Sequence, residues 1–278
     1  MSASYPLVRN LYAFSTRFGV SSSPSRVGSS PSSASNRLIS SCILVFYICC
    51  FVYFWDASPG AQAPDALYAD RANIASARQA ADLWGAELAR NPQAFDAAWK
   101  LARADYWLGG HAPEAERRRF LEQGIDAGRK ATALQPTRPE GHFWIAANMG
   151  ALAESFGLRQ GLKYRKTIKD ELETVLRVAP LFGDRSADRA LGRWYFKVPS
   201  LFGGSHKLAE EHLRASLTAK PTSTASHYFL AEVLIDDGRK AEARAELQAV
   251  LDAPLDPDWT PEDNDFKAKA RRLLTTLK

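Results

Sequence analysis

The side chains able to do chemistry are few and scattered. There are five histidines, His111, His142, His206, His212 and His227. No two stand at the i, i+4 spacing of a helical zinc site, and no His-Glu-x-x-His run occurs. His206 and His212 are six apart, on different helix faces, and Ser205-His206 lacks the strand-to-helix elbow that exposes a nucleophile. Each histidine is expected at the surface or at a cap. Glu210-Glu211 and Asp236-Asp237 are adjacent, so on a helix each pair diverges into solvent. Phe202-Gly203-Gly204-Ser205 could hold an anion on free N–H groups or form a tight turn and helix cap, and the turn is the expectation. Cys42, Cys49 and Cys50 share one apolar run, which leaves the rest of the chain without a thiol. The expectation is no catalytic residue, no metal and no cofactor.

Binding side chains are better supplied. Trp107, Trp194 and Phe196 are large apolar residues with no place in the repeat core described below. They are expected to line a groove and grip a partner. Asn148 stands where the repeat calls for a small residue, four positions after Trp144. Its amide could clamp an extended backbone or bond within the core. Arg193 could take a partner's carboxylate, or pair with Asp188 or Glu154 of the same chain. Trp107, Asn148, Arg193, Trp194 and Phe196 are therefore the candidate groove residues.

The elements that position them come from a repeat. Pro92, Pro136, Pro180, Pro221 and Pro254 each close an apolar-periodic segment, at spacings near those of helical repeats. Leu230, Ala231, Leu234, Gly238, Ala243, Leu247 and Val250 carry the spacing of a tetratricopeptide hairpin, with Gly238 at the turn. Trp99 and Tyr106, Trp144, and Tyr195 fill the corresponding core positions of earlier units. Five extra residues between Tyr195 and Ala209 predict an inter-helix loop, with Ser205 as the next N-cap. A helix over 66–90 and a polar-backed capping helix over 261–277 complete an all-α solenoid of about four hairpins. No alternating strand pattern competes.

The N-terminal part has another composition. Of the 278 residues 46% are apolar and 24% charged, which excludes a wholly disordered or many-span chain. The net charge of +5 divides unevenly: residues 1–55 hold four arginines and no acid, while 56–278 are nearly neutral. A nucleic-acid partner is excluded, because that needs a basic body. Residues 1–37 read as a disordered Ser/Arg-rich leader, 38–55 as a transmembrane helix or signal segment, 56–65 as a linker and 66–278 as the solenoid. Three readings of 38–55 remain: an uncleaved signal-anchor, a signal peptide cut after Ala63, or an organelle-targeting leader. The arginine asymmetry predicts export of residue 56 onward to the periplasm, with an organelle membrane as the alternative.

With these residues in place, 66–278 resembles tetratricopeptide-repeat (TPR) proteins. Gly141-His142-Phe143-Trp144-Ile145-Ala146-Ala147-Asn148 and Leu191-Gly192-Arg193-Trp194-Tyr195-Phe196-Lys197-Val198-Pro199 are similar to two groups. One is the periplasmic TPR component associated with tripartite ATP-independent (TRAP) transporters. That likeness implies a periplasmic helper that docks a solute-binding protein or holds a ligand. The other is the regulator of microtubule dynamics family, which implies a membrane-tethered adaptor facing the cytosol. The function expected is a non-catalytic, membrane-anchored or exported scaffold binding a protein or peptide in a concave groove. The alternative is a small-ligand-binding accessory of a transport system.

Overall fold

The computed structural model describes residues 63–277, so the leader and the apolar run at 38–55 lie outside the described residues. All regular structure among the described residues is helical. Eleven α-helices follow one another: α1 (Pro64–Ala69), α2 (Ile74–Arg90), α3 (Phe95–His111), α4 (Glu114–Leu134), α5 (Pro139–Phe156), α6 (Leu158–Val178), α7 (Ser186–Lys197), α8 (His206–Ala219), α9 (Thr224–Asp236), α10 (Lys240–Asp252) and α11 (Thr260–Thr276). No described helix is long and apolar enough to cross a membrane.

The prolines act as predicted. Helices α2, α4, α6, α8 and α10 each stop two residues short of Pro92, Pro136, Pro180, Pro221 and Pro254. A proline has no N–H to give and disfavours helical backbone in the residue before it. Starts are set by capping. The Ser205 hydroxyl accepts from the Leu208 N–H at 3.3 Å, opening α8, and Ser223 caps α9 in the same way. Gly238, at φ +77°, turns the chain from α9 into α10 in a left-handed conformation that a side chain would strain. The expected helix over 66–90 is instead two helices. Asn73 accepts from the Ala75 N–H at 3.1 Å and starts α2 anew after a turn at 70–73. The five extra residues after Tyr195 contain a 3-10 turn at Ser200–Phe202.

Four antiparallel hairpins result, α3–α4, α5–α6, α7–α8 and α9–α10, with α2 packed before them and α11 after. Ala102, Ala209, Ala231 and Ala243 have no exposure and let the axes approach. Leu121, Leu152, Leu172, Leu191, Leu213, Leu230, Leu234 and Leu247 fill the space between. Each such leucine contributes about 2 kcal/mol relative to exposure, which sustains the array without disulfides. Trp144, Tyr195, Leu230, Ala243 and Leu247 lie in this interior, and Trp99 is half-buried against it. Tyr106 does not share it. Its ring centroid lies 5.6 Å from that of Trp144, but the residue is 38% exposed.

Candidate functional site

The candidate groove residues are mostly structural in position. Asn148 has 0% exposure. Its Nδ2 donates to the carbonyls of Ala102, at 2.9 Å, and Trp144, at 2.8 Å. Gly124 of α4 makes the room, since a Cβ there would stand 2.4 Å from Asn148 Oδ1. An amide with no surface cannot clamp a partner, so Asn148 ties α5 to α3. Trp107 is buried and donates from Nε1 to the Arg71 carbonyl at 2.7 Å, while its ring stacks on His111. Trp194 is buried, donates to the Arg165 carbonyl at 2.9 Å, and packs edge-on against Tyr195. Phe196 is half-buried against the core, beside His206. Trp107 reaches the turn before α2 and Trp194 reaches α6 of the preceding hairpin, contacts that a single-hairpin motif does not specify. Arg193 does reach the concave side, but its guanidinium is occupied. It forms two hydrogen bonds with Glu154, at 3.0 and 2.9 Å, and a further one with Glu232. It also lies over the Phe229 ring at 4.5 Å.

What the array presents on its inner wall is different. Arg193 links α7 to both α5 and α9, so the first helices of three hairpins meet along one charged line. The Tyr106 phenol faces this line. Crowding by protein raises its pKa, with Glu154 and Glu262 adding to the shift and Arg189 and Arg193 opposing it. Arg189, one turn before Arg193, is half-buried, and burial lowers its pKa. Among the described residues its guanidinium has no ion pair or hydrogen bond, and Tyr106 and Asp184 are the groups favouring its charge. Arg103 stacks on Tyr68 at 4.1 Å and leaves its Nε buried without a partner. Arg103 also pairs with Asp65 at 3.7 Å, which leaves Arg189 as the arginine near Tyr106 without an ion pair among the described residues.

Side chains tie the end of the array to its beginning. Arg71, in the turn between α1 and α2, hydrogen-bonds Glu262 of α11 twice, at 2.9 and 2.5 Å. It also donates to the Asp258 carbonyl at 2.7 Å. His111 at the end of α3 bonds Asp265 of α11 at 2.8 Å and holds that carboxyl below the usual range. Residues 191 positions apart are therefore clasped, and the last helix meets the first.

The histidines are not surface decoration. Each faces a carboxylate: Asp265, Glu171, Asp237, Asp188 and Glu246 for His111, His142, His206, His212 and His227. His142 and His227 also bond the carbonyls of Pro136 and Pro221, each six residues earlier, and so strut equivalent repeats. The signal, histidine six residues after an inter-repeat proline, was present twice in the sequence. These pairs lie apart from one another, and no group of three or more His, Cys, Asp or Glu among the described residues is arranged to hold a metal.

A family model described as "Regulator of microtubule dynamics protein 1-3" matches residues 63–278. No curated protein matches the sequence. Among solved structures, the chain is similar to TTC0263, a thermophilic TPR protein of Thermus thermophilus. The two are 23% identical with a TM-score of 0.57, over 76% of this chain and 97% of that one. MamA is 16% identical with a TM-score of 0.46, over 76% of this chain and 99% of that one. The first of these supports the TPR-like architecture and nothing beyond it.

Proposed function

The chain belongs to the regulator of microtubule dynamics family, and from that premise we propose that its helical body is a non-catalytic scaffold that takes an extended segment of a protein partner into a channel along the first helices of its hairpins, bordered by Tyr106, Arg189 and Arg193. The observation that carries this reading is Arg189. A half-buried guanidinium without a partner, opposite the Tyr106 phenol, suits a carboxylate on an incoming chain. The Arg193–Glu154–Glu232 line then keeps the wall rigid, so that little side-chain entropy is lost on binding. The apolar run at 38–55 supports a membrane tether for this scaffold, and the four leader arginines support export of the body. An alkaline phosphatase fusion after residue 60, active only when exported, tests that orientation.

The channel reading is tested by placing a photo-crosslinking phenylalanine analogue at position 106 in the full-length chain, in its own cells. A control carries it at Lys166, on the exposed face of α6. A discrete protein adduct at 106 that is absent at 166, and is lost when Arg189→Ala is added, supports the reading. Adducts that are the same at both positions, or that survive Arg189→Ala, refute it.

A further inference from the structure

A cavity of about 580 Å³ opens between α2, α3 and α4. On α3, Leu101 and Asp105 stand one turn apart, on a different side of the helix from Arg103 and Tyr106 at 100° per residue. Most of its wall is apolar, from Ala81, Leu88, Leu101, Phe120 and Ala127. Asp105 lies within that wall. It is 2% exposed, and its Oδ2 has no hydrogen-bond partner. An orphaned carboxyl so deeply placed costs folding free energy and calls for a ligand. Asp82 of α2 is a second acid in the same lining.

The remaining charged groups sit on α2 and α4. Arg78 of α2 is spent on two hydrogen bonds to Glu116, at 2.8 and 2.9 Å. Arg119 also contacts Glu116, at 3.3 Å, and Asp126 is held by Arg129. Lys130 completes the lining. Arg78 and Arg119 are engaged with Glu116 and Lys130 adds one cation to the lining, so the cavity offers an apolar body site with one buried acid that lacks a hydrogen bond.

We propose that this cavity binds a small primary amine with an apolar body, whose ammonium group donates to Asp105 while its hydrocarbon lies against Leu88, Leu101 and Phe120. The volume is ample for a ligand of one ring, within the usual span of small-molecule sites. In the empty cavity burial raises the Asp105 carboxyl to about 8, with Arg119 pulling it down and Asp82 pushing it up. At pH 7 the acid is therefore mostly protonated. Binding an ammonium ion ionises it: the O–H bond breaks, the proton leaves to solvent, and a carboxylate–ammonium pair remains.

The test uses cyclohexylamine and its neutral counterpart cyclohexanol on the full-length chain, by titration calorimetry in buffers of differing ionisation enthalpy. The amine is expected to bind at least about tenfold more tightly at pH 7, to release close to one proton, and to tighten between pH 6 and 8. Asp105→Asn keeps the shape of the side chain and removes its charge. It should bring the amine down to the alcohol's affinity without lowering the melting temperature. Asp82→Asn should weaken the amine several-fold less than Asp105→Asn does. Equal affinities for amine and alcohol, an undiminished preference in Asp105→Asn, or no binding of either probe would overturn the assignment.

Discussion

Arg71→Ala should open the ring. In a TPR array each repeat touches its neighbours, so the terminal helix is normally held from one side only. Here α11 is held from both. Arg71 is 4% exposed and gives Glu262 two charge-assisted hydrogen bonds, with two more to the carbonyls of Asp258 and Tyr68. Breaking a buried pair by removing one partner costs about 3–5 kcal/mol. The Glu262 side chain keeps 20% of its surface, so water recovers part of the loss and brings it below that range, to about 2–3 kcal/mol. Whole-chain melting is a poor reporter, because repeat arrays lose two-state behaviour. Amide hydrogen exchange of the full-length chain reads the clasp directly. Protection in α11 should fall about 30- to 150-fold, the factor that 2–3 kcal/mol represents. Amides in α6, which the clasp does not touch, should hold. Glu262→Ala should act the same way, and the double variant should be less damaging than the sum of the two. A change under about threefold in α11, or strict additivity, would refute the clasp as an energetic link.

The remaining predictions concern packing and pH. Gly192→Ala places a Cβ 2.5 Å from Leu213 Cγ and 3.0 Å from the Ala209 carbonyl oxygen, so it should cost about 1–3 kcal/mol in urea unfolding. Gly150→Ala, with nothing within 4 Å, should instead stabilise by up to about 1 kcal/mol through helix propensity. Asn148→Ala should cost about 1–3 kcal/mol by leaving a hole and cutting two buried hydrogen bonds. At equal folded fraction it should still crosslink its partner at position 106. His227 is disfavoured as a cation by burial, but Glu246 and the Pro221 carbonyl outweigh that and hold its pKa above 6.5. A raised folded-state value adds stability below the unfolded pKa, and this is lost as pH rises through the folded one. Urea midpoints should therefore drop from pH 6.5 upward, and His227→Gln should flatten that slope.

Local features were readable and long-range ones were not. Helix ends at 90, 134, 178, 219 and 252 follow from prolines two residues on, and the caps at Ser205 and Gly238 from the residue types alone. Such signals act within one turn of the chain. The burial of Trp107 depends on a carbonyl 36 positions away, and that of Trp194 on one 29 positions away. No hairpin motif records either contact. A repeat motif also fixes a residue's slot within its hairpin but not the curvature of the stack. Curvature decides whether the inner face of α3 meets another helix or an open channel, which is how Tyr106 left the core. The sequence left Arg193 open between a partner's carboxylate and one of its own chain, and gave no signal for Arg189, for the same reason. Arg193 stands out in the sequence beside Trp194, yet its carboxylates come from α5 and α9 on either side, while Arg189 has only Tyr106 and Asp184 to favour its charge and no ion pair among the described residues.

Closure bears on how anything reaches the channel. If the clasp stays shut during binding, a partner segment must thread from an end of the superhelix, and its association rate is indifferent to Arg71. If the clasp must part, association is limited by the open fraction, and the rate rises in proportion to that fraction. The second case is expected, because Glu262 of the clasp is near enough to the Tyr106 phenol to raise its pKa. Arg71→Ala should then speed adduct formation at position 106 by about the same 30- to 150-fold that it removes from α11 protection, up to the limit set by photolysis. The time course of crosslinking in the full-length chain, with and without Arg71→Ala, measures this. Unchanged rates alongside lost α11 protection would mean that the clasp stabilises the array without guarding its channel.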